Sequence, residues 1–276
     1  MNVLIIILII VGIALIYLAL PGGALRRQYR KDVALSLNEN LLPSASFTEE
    51  AVSGLPEPMQ KYLSYCGYMG KPMMAHGYFD FREARLSIAQ DQTPITLRYE
   101  QYNFVARPDR HAFIDGKLFG LHLINGKDTL SDGKGSMTIV LAKLLKLGET
   151  TGPDMSQSQL VSTLPDAVLM PSLFLQDYVE WTAIDDTHAE STITWNDIRC
   201  SGIFTFNNEG EIIRFDTNDR YQDNNGVSVN LPWTVEYGDY YEVDGLRRPG
   251  TVKISWHMPD GSDYTYFESS DYTVSY

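Results

Sequence analysis

Five histidines are the first candidates for chemistry in this chain: His76, His111, His122, His188 and His257. No two stand four residues apart, the spacing that would set a pair of imidazoles on one helix face around a metal. His122 and His257 fall in stretches that read as strands, where a hydrogen-bonded or solvent-facing histidine is the plainer expectation. Cys66 and Cys200 are the only cysteines. Their separation excludes a cysteine zinc site and a CxxC redox pair and leaves a single disulfide open. Asp185 and Asp186 suggest paired carboxylates, but neighbours on a strand point to opposite faces, so turn formation before Thr187 accounts for them.

Two loops imitate ligand sites. SDGKGS, residues 131–136, has the lysine and glycines of a phosphate loop, yet Asp128 stands where the first glycine is required, and a turn is expected instead. DTNDRYQDNNG, residues 216–226, offers Asp216, Asn218, Asp219 and Asp223 as calcium ligands. Arg220 and Tyr221 occupy positions that a calcium loop needs for a ligand and its glycine, and no glutamate closes it, so a hairpin loop is expected. There is no GxSxG nucleophile elbow. The chain thus lacks a recognisable nucleophile, base or metal set, and the expectation is a non-enzymatic protein with no catalytic residues, no metal and no cofactor.

Charge narrows the partners. Lys and Arg total 22 against 35 Asp and Glu, a formal net charge of -13. Arg26, Arg27, Arg30 and Lys31 sit together, which leaves the rest of the chain more acidic still. Such a body repels phosphate backbones and argues against nucleic acid. The segment VLIIILIIVGIALIYLAL, residues 3–20, carries no charge and would span about 27 Å as a helix, close to the hydrocarbon thickness of a bilayer. It is longer than a signal-peptide core and has no basic residue before it, so an uncleaved anchor in the membrane lipid bilayer is expected over a signal peptide. The four basic residues after it lean the body toward the cytoplasm, or contact lipid headgroups.

The elements follow from periodicity. LPEPMQKYLSYCG, residues 55–67, predicts a short helix begun by proline and ended at Gly67. Phe79 and Phe81, then Ile95, Leu97 and Tyr99, alternate with polar residues as half-buried strands do. Ile198, Cys200, Gly202, Phe204 and Phe206 share one strand face before a turn at NNEG. Trp233, Val235 and Tyr237, and Val252, Ile254, Trp256 and Met258, form two more faces, with a hairpin turn at MPDG. About eleven strands are counted by this criterion. Between the two strand groups, TIVLAKLLKLGE (138–149) places Val140, Leu141, Leu144, Leu145 and Leu147 on a helical stripe, and DMSQSQLVSTLPDAVLMPSLFL places Leu160, Val161 and Leu164 on a second. The expected fold is α+β: a transmembrane anchor at 1–22, a membrane-proximal linker at 23–54, and a single domain at 55–276. That domain is a curved antiparallel half-barrel sheet covered on one face by helices at 138–175.

The block GPDMSQSQLVSTLPDAVLMPSLFLQDYVEWTAIDDTHAESTITWNDIRCSGIFTFNNEGEIIRFDTNDRY, residues 152–221, resembles a bacterial family of membrane-anchored domains of unknown function. PWTVEYGDYYEVDGLRRPGTVKISWHMPDG and LPEPMQKYL are similar to that family's next block and opening helix. Pro165 and Leu169 depart from its pattern, where a helix-continuing residue and an aromatic are expected. The element order is similar to that of outer-membrane lipoprotein carriers, in which a half-barrel under helices holds an acyl chain. The resemblance implies a lipid or other apolar small molecule as partner and a domain outside the cytoplasm, against the lean of the charges. The residues expected to line such a site are Leu141, Leu144, Leu145, Val161, Leu164, Val168, Phe174, Trp181, Phe204 and Trp256. The alternative is an envelope interaction module with a solid core and no ligand.

Overall fold

Alternating apolar and polar residues build most of this molecule into one sheet. The structure is a computed structural model that describes residues 2–41, 44–87, 89–90, 92–224 and 226–276. Four helices come first: α1 (Asn2–Ala19), α2 (Ala24–Glu39), α3 (Glu49–Val52) and α4 (Glu57–Tyr65). Six strands follow as an unbroken meander: β1 (His76–Leu86), β2 (Ile95–Phe104), β3 (Arg110–Leu118), β4 (Leu121–Ser131), β5 (Lys134–Leu141) and β6 (Leu145–Thr151). Helix α5 (Pro153–Asp166) and a 3-10 turn, Pro171–Leu175, then lead to β7 (Val179–Asp185), β8 (His188–Trp195), β9 (Ile198–Phe206) and β10 (Ile212–Thr217). The remaining strands are β11 (Tyr221–Asn224), β12 (Val227–Asn230), β13 (Trp233–Gly238), β14 (Tyr241–Val243), β15 (Leu246–Arg248), β16 (Thr251–His257), β17 (Asp263–Ser269) and β18 (Tyr272–Ser275).

Among the described residues, 14 strands form a single sheet in the order β6-β5-β4-β3-β2-β1-β17-β16-β13-β10-β9-β8-β7, with β18 also pairing with β1. Every pairing in it is antiparallel. Strands β6 and β7 are its two free edges, so the sheet is not a closed barrel. That order dictates where the cover goes. The chain leaves the sheet at β6 and re-enters at β7, the opposite edge, so residues 152–178 must cross one face, and their apolar side chains are buried against it.

The α+β class and the large antiparallel sheet stand as expected, with more strands than the eleven or so counted from alternation. The helix expected over 138–149 is corrected: this stretch is the β5–β6 hairpin. Of residues 138–175, only α5 and the 3-10 turn lie over the sheet as helical cover. Pro165 is accommodated because it falls in the last turn of α5, where little helix remains to break.

The face opposite α5 has its own helix. Successive residues of β3 point to opposite sides, sending Arg110, Ala112 and Ile114 toward α5 and His111, Phe113 and Asp115 toward α2. Tyr29 packs on Phe113 with centroids 5.5 Å apart. Arg26 reaches Glu100 at 2.5 Å and Asp115 at 3.3 Å, Lys127 reaches Asp32 at 2.5 Å, and Ser36 Oγ lies 2.8 Å from His111 Nε2. Residues 23–54 therefore include a helix docked on the sheet. Arg26 is committed to carboxylates, leaving Arg27, Arg30 and Lys31 exposed among the basic residues after α1. One described helical segment, the one containing α1, is long and apolar enough to cross a membrane, and none of its apolar window is buried.

Candidate functional site

Beneath α5 the sheet is not filled. A cavity of about 250 Å3 lies between the helix and strands β1 to β5, β13, β16 and β17. Its apolar wall includes Phe81, Met137, Leu169, Val235, Ile254 and Phe267. Packed interiors carry few voids much larger than a water, and this one approaches the lower end of small-molecule pockets, about 300 Å3.

One polar cluster stands in that wall. The Arg110 side chain is 9 % exposed, and all five of its N–H groups have acceptors. Nε donates to Asp166 Oδ2 at 3.0 Å, Nη1 to Asp128 Oδ2 at 2.8 Å and to Gln159 Oε1, and Nη2 to Tyr99 Oη at 2.7 Å and Gln101 Oε1 at 3.0 Å. Gln101 and Asn103 add donors to Asp166 Oδ2, at 2.7 and 3.1 Å, and Gln159 donates to Asp128. Burial works against the guanidinium charge, but Tyr99 and the two carboxylates more than offset it and hold the arginine protonated. The cluster ties α5, through Gln159 and Asp166, to β2, β3 and β4.

A second arginine behaves differently. Arg220 lies over Trp233 at 4.4 Å and over Trp256 at 5.7 Å, and its Nη1 donates to Ser158 O at 2.9 Å and to the Ser162 hydroxyl. It lines the same cavity. Among the described residues no carboxylate pairs with it, and its buried Nε has no acceptor.

None of the ten residues expected from sequence lines this space. Val161, Leu164, Val168, Phe174 and Phe204 are at most 1 % exposed and belong to the solid core. Phe174, Trp181 and Phe204 form an aromatic cluster with centroids 5.4 to 5.6 Å apart, and Trp256 is buried beside Trp233, its partner across β13 and β16. Leu141, Leu144 and Leu145 lie outside the cover altogether, Leu144 being 79 % exposed. The residues that sequence reasoning passed over are Arg110, Asp128, Gln159 and Asp166. Asp166 carried a signal: it is the one acid inside LPDAVLMPSLFL, and a lone acid in an apolar cover needs a buried partner.

The other candidates resolve into structure. Cys66 and Cys200 are free buried thiols, and burial pushes Cys66 up to about 12. Asp185 accepts from Thr187 N and His188 in a turn, which holds its carboxyl down at about 2. SDGKGS is the β4–β5 turn, with Asp132 at φ 50° and Gly133 at φ 71°. In residues 216–226, Asp216 pairs with Arg214, Asp219 accepts from Ser201 N, and Asp223 accepts from Gly226 N. His257 joins Asp263 at 2.7 Å to Thr234 at 2.6 Å, which has the order of a hydrolytic triad. Thr234, however, is 1 % exposed and its hydroxyl is also shared with Asp216 at 2.6 Å, so it cannot attack a substrate. Among the described residues no group of three or more His, Cys, Asp or Glu side chains is placed to hold a metal.

The sequence matches a family of unknown function, DUF6544, over residues 45–269. The chain belongs to that family. Solved structures similar to this DUF6544 chain include a domain from Vibrio parahaemolyticus described as an outer membrane lipoprotein-sorting protein. It is 13 % identical with a TM-score of 0.45, covering 81 % of this chain and 93 % of that one. A DUF1329 family protein from Desulfovibrio piger is 10 % identical with a TM-score of 0.42, covering 84 % and 94 %. A LolA superfamily protein from Nitrosomonas europaea is 10 % identical with a TM-score of 0.38, covering 78 % and 92 %. No curated protein matches the chain.

Proposed function

We propose that this protein is a membrane-tethered, non-enzymatic binding domain. Its cavity under α5 takes an apolar chain that ends in an acidic group. The observation that carries this reading is the cavity itself, about 250 Å3 of mostly apolar wall inside an otherwise packed domain. Arg220 supplies the headgroup preference. It is the wall's cation that pairs with no carboxylate among the described residues, stacked on Trp233, whereas Arg110 is already satisfied by Asp128 and Asp166. Tethering rests on α1, whose apolar window lies outside the packed body.

The test is a fatty acid carrying a photoactivatable diazirine, given to the full chain in lipid vesicles and mapped by peptide mass spectrometry. Crosslinks at Met137, Met155, Leu169 or Ile254 are expected, and Arg220→Gln is expected to reduce them. Crosslinks confined to α1 would overturn the reading. That outcome would favour a solid interaction module, for which the filled space around Val161, Val168 and Phe174 speaks.

A further inference from the structure

The end of the sheet nearest α1 carries large apolar side chains exposed to solvent. At the β3–β4 turn Leu118 is 42 % and Phe119 94 % exposed. At the β5–β6 turn Leu144 is 79 % and Leu145 60 % exposed. Isolated surface leucines are ordinary, but a cluster on adjacent hairpin tips marks an interaction surface.

Both tips also carry backbone strain. Phe119 has φ 53°, and Ala142 and Lys143 have φ 50° and 62°. Left-handed turn positions favour glycine, asparagine or aspartate, and a phenylalanine there, with its ring in solvent, is costly without a partner. At the second tip the partner is visible. Lys143 Nζ donates to the carbonyls of Tyr17 at 2.7 Å, Leu18 at 3.3 Å and Leu20 at 2.5 Å, and it lies 5.0 Å from the Tyr17 ring centre. Those carbonyls are orphan acceptors at the C-terminal end of α1, so the lysine of one hairpin caps the apolar helix.

The geometry places the two tips together. Ala142 N donates to Leu123 O at 2.7 Å, so the β5–β6 turn is level with Leu123, while β3 turns back just beyond it between Leu118 and Leu121. Strands lie about 4.8 Å apart, and β4, against which α1 also packs, separates the two turns. The apolar helix therefore leaves the domain beside both tips.

We infer that the β3–β4 and β5–β6 tips insert into the headgroup and upper acyl layer of the leaflet that α1 leaves, with a lipid bilayer as their partner. This rests on reading α1 as a membrane anchor. Exposed Lys117 and Lys146 flank the tips and suit headgroup contact while their apolar stems follow the leucines. The sheet then stands on the bilayer at three points, α1 and two hairpins, in one fixed orientation.

Cys66 and Cys200 are buried, so cysteines introduced on the surface can be labelled selectively. The experiment uses the full chain as Phe119→Cys, Leu144→Cys, Ile10→Cys and Ile184→Cys. Each variant carries an environment-sensitive fluorophore, in vesicles of phosphatidylethanolamine and phosphatidylglycerol with nitroxide-bearing lipids. Labels at 119 and 144 are expected to be quenched at a depth of about 5–10 Å below the headgroups, the label at 10 more deeply, and the label at 184 not at all. Quenching at 10 but not at 119 or 144 would overturn the inference and leave the anchor standing. No quenching at 10 would overturn the anchor reading and the inference with it. A blue shift at 119 and 144 without lipid quenching would assign the tips to protein contact, such as a second copy, and would equally overturn it.

Discussion

Buried Arg110 on β3 and partly buried Asp166 at the end of α5 are joined by a hydrogen bond of 3.0 Å, and this bond links the sheet to its cover. The energetics of such a link are asymmetric. Pairing a charge inside a protein gains little over an apolar core, whereas removing one partner strands the other. Arg110→Met leaves Asp128 and Asp166 without their cation, and a loss of about 3–5 kcal/mol is expected. Combining it with Asp128→Asn and Asp166→Asn should restore a substantial part of that loss. Chemical denaturation of the detergent-solubilised chain measures both. Equal stability for the single and triple variants would show that the cluster is not coupled.

Gly135 fixes how closely α5 approaches β5. A Cβ at this position would fall 2.6 Å from Met155 O and 2.7 Å from Ser156 Cα, both backbone atoms that cannot rotate away. The glycine N–H also donates to Ser156 Oγ at 2.9 Å. Gly135→Ala is therefore expected to cost about 1–3 kcal/mol through overpacking, and to increase amide exchange in the first turns of α5. Exchange unchanged from wild type in α5 would refute the tight approach.

His111 makes the docking of α2 sensitive to pH. Burial lowers its pKa to about 4, with Asp109 and Asp32 pulling upward and Lys127 and Arg110 downward. The folded state thus holds the imidazole neutral, while the unfolded chain protonates it near 6.5. The unfolded state binds more protons in that interval, so stability falls as pH drops from about 6.5 to about 4, by about 3 kcal/mol in all, and this contribution is constant below that. His111→Gln should flatten the slope of unfolding free energy across this window. An unchanged slope would exclude His111 as its source.

Period-two alternation made strands of both groups legible, because β1, β9, β13 and β16 alternate apolar with polar residues. Strand β3 was hidden for a physical reason: α2 covers one of its faces and α5 the other, so RHAFIDG is buried throughout and its polar residues occur in both phases. The β5–β6 hairpin was misread as a helix because its turn, at Ala142 and Lys143, contains no residue that normally signals a left-handed turn. Its leucines also face outward, where strand patterning expects polar residues. For the site, hydrophobicity pointed to α5 and its exit, but the side chains it picked out are not those that line the cavity. In α5 and its exit the most apolar residues, Val161, Leu164 and Val168, turn into the solid core, whereas Ser162, Pro165 and Leu169 face the cavity.

Leu169 and Val168 are adjacent, yet they meet different surroundings, and substitution separates them. Leu169 borders the cavity and is 4 % exposed, while Val168 is fully buried in the packed core. Enlarging a side chain into existing space requires no rearrangement, but the same enlargement in a close-packed interior forces strained rotamers and backbone shifts. Leu169→Phe is therefore expected to leave stability within about 1 kcal/mol of wild type, and Val168→Phe to cost about 1–3 kcal/mol or more. The denaturation midpoints of the two variants give the comparison directly. Leu169→Phe should also lower diazirine fatty acid crosslinking at Met137 and Ile254, because its ring occupies the space the chain would fill. Equal destabilisation by both substitutions would mean that the cavity is closed by packing, and would remove the physical basis for a ligand under α5.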